Sequence, residues 1–284
     1  MAGVNEVQDY GGHRPRDTEE DATVGVRVLY CVALFLCSSP AYSGQIAVQC
    51  QGIDAPPLRF NGRAGVMPET SALRLTSNGI SQAGSVFTPE PLYIGCFDTT
   101  FSFMLHGSEE HADGLTFCIQ NDPKGFSALG SLGGYLGYGT SDFWDTAGIS
   151  RSVAVEFDDY YNDEFRDLPT DHIGIDIQGS VVSKAQAATP VPIVGESVKA
   201  RVTYDGTMLS VFVWSGDQQP AAPFLSYAVD IPAIVGSSQA YVGFTGATAT
   251  YFQFTDVTSW RFGARELVPW RAPVAVGDAD AAEL

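Results

Sequence analysis

Cations are scarce in this sequence: 15 Lys and Arg face 33 Asp and Glu among 284 residues, leaving a formal charge of −18. Nucleic-acid affinity rests on cationic contacts to phosphate, so that function class is excluded. No polybasic stretch suits an anionic membrane surface either. No Cys-x-x-Cys pair is present, which removes the usual zinc and redox motifs. No Asn-x-Ser/Thr acceptor occurs, so N-glycosylation is not expected. No segment carries a sustained helical period with caps. A metal cation or a neutral ligand remains the natural partner.

Long apolar runs are also missing. The one candidate, "VLYCVALFLC" at residues 28–37, follows Arg27 and is too short to cross a bilayer. It suits the apolar region of a secretory signal, and "AYS" at 41–43 places a cleavage before Gly44. Secretion is the expectation, with an uncleaved N-terminal anchor as the alternative because the preceding leader is acidic ("DTEEDA"). Cys31 and Cys37 would leave with the signal. Cys50, Cys96 and Cys118 remain, an odd set compatible with one disulfide of open pairing and one buried thiol.

What is present is alternation. Leu73 and Leu75; Phe101, Phe103 and Leu105; Leu115, Phe117 and Ile119; Val153, Val155 and Phe157; Ile173, Ile175 and Ile177 each alternate along their run. "VKARVTYDGTMLSVFVW" carries Asp205-Gly206 between two such arms, a strong hairpin signal. Later, "AYVGF" and "TSWRF" close the series, with glycines and prolines falling between runs. The reading is an all-β sandwich of one domain at residues 44–265, after a leader at 1–43 and before a loosely attached tail at 266–284.

"VAVEFDDYYNDEFRDLPTDHIGID", residues 153–176, crowds eight acidic side chains around one arginine, Arg166. Residues two apart share a strand face, so Glu156, Asp158 and Tyr160 lie opposite Val155 and Phe157. Two carboxylates held that close repel unless a proton or a cation intervenes. Asn162 and Asp167 add oxygens from the following loop, and His172 adds an imidazole. Calcium takes several oxygens in flexible geometry, while carboxylates mixed with one imidazole suit a transition ion such as manganese.

This stretch resembles the metal-binding region of the legume-type (L-type) lectins, with its pattern E-x-D-x-[aromatic]-x-N, then D, then H-I-G-I-D. Before it come "ALRLTSNGISQAGSVFTPEPL", "FDTTFSF", "ADGLTFCIQ" and "GGYLGYG"; "YVGFTGATATYFQFTDVTSW" follows, all in the family's order. The similarity runs over residues 55–263. It implies a concanavalin-like jelly-roll β-sandwich of antiparallel sheets with adjacent calcium and transition-metal sites. Carried over by position, Glu156 and His172 would bind the transition ion, and Asp158 and Asp167 would bridge both ions. The Tyr160 carbonyl and the Asn162 side chain would complete the calcium set. Ser183 matches a position near the transition ion, one inserted residue late. Leu168 intervenes between Asp167 and Pro169, where many relatives have Asp-Pro directly.

The same resemblance implies the sugar site. Asp113 would accept hydroxyls after a cis Ala112–Asp113 peptide. Gly134 would offer a backbone N–H, Asn162 its amide nitrogen, and Tyr160 an apolar platform. Thr250 and Tyr251 stand on the fourth loop. That loop's length between Phe244 and Trp260 equals that of mannose/glucose-binding relatives, which favours such glycans or glycoproteins as partners; homo-oligomerisation stays open. Two rival readings remain. Sandwich-fold glycoside hydrolases carry E-x-D-x-E or E-x-D-x-x-E, but Tyr160 and Tyr161 fill both places of the final glutamate here. The other rival is a recognition module whose sugar site has decayed. The expectation is a non-catalytic lectin.

Overall fold

A computed structural model describes residues 58–264. The apolar run at 28–37, Cys31, Cys37, Cys50 and the tail at 266–284 lie outside the described residues. Among the described residues no helix is long and apolar enough to cross a membrane.

Among the described residues fifteen strands follow one another: β1 (Arg59–Gly62), β2 (Gly65–Val66), β3 (Leu73–Thr76), β4 (Gln82–Phe87), β5 (Leu92–Tyr93), β6 (Phe97–His106), β7 (Gly114–Gln120) and β8 (Ser152–Asp158). Then come β9 (His172–Ile177), β10 (Ser180–Ala188), β11 (Ser197–Tyr204), β12 (Met208–Ser215), β13 (Leu225–Ala228), β14 (Gln239–Thr248) and β15 (Phe254–Ala264). One sheet of eight strands runs β1-β4-β14-β7-β8-β9-β10, with β5 also on β14; the other, of seven, runs β13-β12-β11-β6-β15-β3-β2. All these strand pairings are antiparallel. The chain is thus the all-β sandwich that its alternation predicts. One short helix, α1 (Ile231–Val235), is capped by the Asp230 carboxylate, which accepts the Ala233 N–H at 3.0 Å. At five residues it is too short to show a period.

The alternating residues face each other between the sheets. Phe101 from β6 meets Phe117 of β7 at 5.8 Å, Phe157 of β8 at 5.7 Å and Phe244 of β14 at 5.0 Å between ring centroids. Such ring packing adds to what their burial contributes. Strands β7 and β8 are buried at every residue, on both faces. Their outer faces are covered because Ala128, Tyr138 and Ile149, from the connection between these two strands, pack on Cys118 and Ala154. The hairpin between β11 and β12 turns one residue later than the Asp-Gly signal places it. Asp205 and Met208 close the turn around Gly206 and Thr207, and the Asp205 carboxylate accepts the N–H groups of Thr207 (2.9 Å) and Met208 (2.8 Å).

The register decides what meets at one end of the eight-stranded sheet. Ala247 of β14 lies opposite Gly114 of β7, Gly114 opposite Asp158 of β8, and Asp158 opposite His172 of β9. The loops entering or leaving those strands therefore share one rim.

Candidate functional site

Val155 and Phe157 belong to the core between the sheets, so Glu156 and Asp158 project from the other face of β8. Both are 2% exposed. One ligand atom each from Asp158, Asp167 and His172 lies within 4.8 Å of the others. His172 Nε2 is 3.7 Å from Glu156 Oε1 and 3.7 Å from Asp167 Oδ1, too long for hydrogen bonds. The ring's other nitrogen, Nδ1, lies 3.2 Å from the Thr170 carbonyl and so carries the hydrogen, which leaves Nε2 buried and without a partner. Burial lowers the His172 pKa and keeps the imidazole neutral. That is the form that coordinates metal.

Among the described residues no lysine or arginine forms an ion pair with these acids. Arg166 is exposed and makes no ion pair among the described residues. Burial first, then neighbouring carboxylates, drives the Glu156 pKa well up, and burial does the same for Asp158; Asp167 is pushed up to about 6, also mainly by burial. Buried, uncompensated carboxylates are costly. The donor set of carboxylates, one neutral imidazole and an amide oxygen fits a divalent ion that takes oxygens beside one that accepts nitrogen. Leu168 does not displace Asp167, whose Oδ2 accepts the Asn162 N–H at 2.8 Å.

Ser183 sits in the irregular register between Ser180 and Ala185 of β10. Its hydroxyl lies 2.7 Å from Glu156 Oε1 and 2.8 Å from Asp176 Oδ1. One hydroxyl hydrogen serves one acceptor, so the other contact needs a proton on a carboxyl group. Burial pushes Asp176 up to about 7. Asp176 is a residue the sequence reading missed, although the period of two from His172 through Gly174 points to it. Gly174 leaves room for both side chains, since a Cβ there would displace Glu156 Oε1 and Ser183 Oγ.

The sugar-type residues gather beside this cluster. The Ala112–Asp113 peptide is cis. Asp113 is 3% exposed, and its Oδ2 has no partner. Burial, and then the Asp159 charge, raise its pKa well above the usual carboxylate range. Gly133 faces Asp113 and Ala249, with a built Cβ 3.9 Å from Asp113 Oδ2 and 3.0 Å from Ala249 Cβ. Gly134 lies against Asn162, whose Oδ1 is buried and unpartnered. The rings of Tyr160 and Tyr251 are 5.5 Å apart and tilted. Thr250 is exposed on the loop after β14.

A Cβ on residue 134 would collide with Asn162 Oδ1 and stand 2.9 Å from its Cγ and 3.0 Å from Phe165 Cε2. Gly134→Ala is therefore expected to push Asn162 aside with little change in folding and, on the reading that this rim holds a sugar, to weaken glycan binding about tenfold or more. Titration of glycan binding beside a thermal melt checks this; unchanged affinity would contradict the placement.

Sequence reasoning also passed over Asp159, His111 and Gln253. The Asp159 carboxylate lies 2.7 Å from His111 Nδ1 and accepts Gln253 Nε2 at 3.0 Å. No local signal could have found them, because the three residues lie far apart in the chain.

The legume lectin domain family matches residues 51–275. A galactose-binding lectin of Arachis hypogaea is 30% identical over 188 residues, covering 63% of this chain and 66% of that protein. A lectin of Bauhinia forficata is 32% identical over 203 residues, covering 67% of this chain and 84% of its own. The L-type lectin-domain containing receptor kinase VIII.2 of Arabidopsis thaliana is 30% identical and covers 78% of this chain, which spans only 32% of the kinase. Among solved structures, peanut lectin with a nine-residue peptide has a TM-score of 0.59 at 30% identity, covering 72% of this chain and 90% of its own. The Bauhinia forficata lectin in complex with GalNAc has a TM-score of 0.59 at 30% identity, covering 72% and 91%. The expected mannose/glucose preference finds no support in these names. It rested on loop length, which counts residues but not the direction in which a loop presents its groups. With its sandwich, its ordered motifs and these relatives, the chain belongs to the legume lectin domain family.

Proposed function

We propose that this protein is a non-catalytic, carbohydrate-binding lectin of galactose type that depends on calcium and a transition ion such as manganese. One observation carries the reading: Asp113 Oδ2, Asn162 Oδ1 and His172 Nε2 are all buried without hydrogen-bond partners, at one rim of the sheet. Native structures rarely leave such atoms unmet. Glu156, Asp158, Asp167 and His172 would hold the transition ion, and Asp158, Asp167, Asn162 and the Tyr160 carbonyl the calcium. The ions would neutralise the buried carboxylates and fix the Asn162 loop. Asp113 would accept sugar hydroxyls, Gly134 and Asn162 would donate to sugar oxygens, and Tyr160 or Tyr251 would cover the apolar face. Thr250 would contribute from the loop's exposed edge.

The galactose preference rests on the relatives named for galactose and GalNAc. The non-catalytic reading is supported by Tyr160 and Tyr161, which fill both places where the sandwich-fold hydrolases carry their final glutamate. We take the binding unit as residues 44–265, overlapped by the family match from residue 51 onward, and the protein as secreted.

The test is retention on immobilised galactose and on immobilised mannose. Retention on galactose, with elution by free galactose, is expected. Retention on mannose alone would overturn the galactose preference. Failure to bind any sugar of a broad glycan panel would overturn the lectin reading in favour of a decayed module.

A further inference from the structure

We propose that Asp159 is a positioning residue of the sugar site, its one carboxylate tying the loop that carries Asp113 to the loop that carries Thr250 and Tyr251. This role rests on the lectin reading above.

Asp159 follows β8 directly, and its side chain is fully buried. Oδ2 lies 2.7 Å from Nδ1 of His111, two residues before Asp113. Oδ1 accepts the side-chain amide of Gln253 at 3.0 Å, two residues after Tyr251. The Asp159 N–H donates to the Asp113 carbonyl at 3.2 Å. Gln253 is itself buried, and its carbonyl accepts the Thr76 hydroxyl at 3.1 Å, which anchors it to β3 of the opposite sheet. One side chain therefore links both loops, the end of β8 and the seven-stranded sheet.

Bonds to a buried carboxylate are stronger than bonds between neutral groups. The bond to Asp159 raises the His111 pKa, which favours the charged imidazole and strengthens that arm. Neither loop has another side-chain tie to this carboxylate, so cutting the two arms separately should free the two loops separately.

The test measures amide hydrogen exchange at residues 107–113 and 249–253 of the full chain, together with affinity for galactose. In Asp159→Ala, both loops should exchange about tenfold faster and galactose should bind about tenfold more weakly. His111→Ala should loosen only the first loop and Gln253→Ala only the second. Asp159→Asn should recover most of both losses, since its oxygen still accepts from Gln253 and its amide can donate to the other tautomer of His111. A general loss of stability would not produce that loop-by-loop pattern or the rescue. Unchanged exchange at either loop in Asp159→Ala, or wild-type galactose affinity, would overturn the proposal. If Asp159→Ala fails to fold, the single-arm variants decide: exchange confined to the loop each arm holds supports the tie, and exchange unchanged in both overturns it. A wild type that binds no galactose would defeat the galactose reading, while the exchange pattern would still decide whether Asp159 ties the loops.

Discussion

Asp113→Ala is expected to abolish detectable glycan binding while the melting temperature stays at or above that of the wild type. The two halves of this result have separate causes. Asp113 is buried, one of its oxygens has no partner, and burial and the Asp159 charge raise its pKa well above the usual range. A carboxyl group whose folded pKa lies above its unfolded pKa of about 4 destabilises the fold at neutral pH, so its removal relieves the fold. Binding moves the other way. Losing a charged hydrogen-bond partner costs about 1.5–3 kcal/mol, a loss of tenfold to more than a hundredfold. For a monosaccharide site working near about 1 mM, that reads as no binding. Asp113→Asn separates charge from shape and should bind weakly. An Asp113→Ala protein with wild-type affinity would sink the site assignment, and one that melts well below the wild type would sink the argument about burial.

Chelation should abolish glycan binding at pH 7 and lower the melting temperature by roughly 5–10 °C, with recovery on adding calcium and manganese together. Two ions, each present at about ten times its dissociation constant, together add about 2.8 kcal/mol, and a domain of this size loses about 2–4 °C per kcal/mol. The response to acid should then differ in sign between the two forms. Without ions, Asp167 titrates at about 6 and Asp176 at about 7, and Glu156 and Asp158 are also raised. The folded chain then binds more protons than the unfolded chain between about pH 4 and 7, so the metal-free protein gains stability as pH falls through that window. His172 opposes them, since burial lowers its pKa, but it is one imidazole against four carboxyl groups. In the loaded protein, protons compete with the ions for the same oxygens, and stability falls with pH. The two melting curves should converge in acid. A metal-free protein that melts lower at pH 5 than at pH 7 would refute the sign, and full glycan binding after confirmed metal removal would refute the dependence on metal.

Much of the site was legible because alternation is local. Val155 and Phe157 point inward, so Glu156 and Asp158 must share the other face, and His172 on β9 continues that face through Gly174 to Asp176. What the sequence left open was how deeply these acids are buried. Strands β7 and β8 are covered on one face by the opposite sheet and on the other by the connection between them, whose path over the strand is not written in local alternation. The Asp205-Gly206 signal located the hairpin but not its centre, because the Asp205 carboxylate holds the turn one residue further along.

By itself the sequence determined the sandwich and the acidic strand end, since period-two alternation is a property of short segments; the candidates Asp113, Gly134, Asn162 and Asp167 came from the order of its motifs, through the resemblance they carry. Only the tertiary structure decided that His111, Asp159 and Gln253 form one tie, that Ser183 reaches both Glu156 and Asp176, and that Gly134 lies against Asn162. Each of those contacts depends on which distant strands pair and in what register. A residue's own neighbours in the chain do not carry that information; the packing of two whole sheets does.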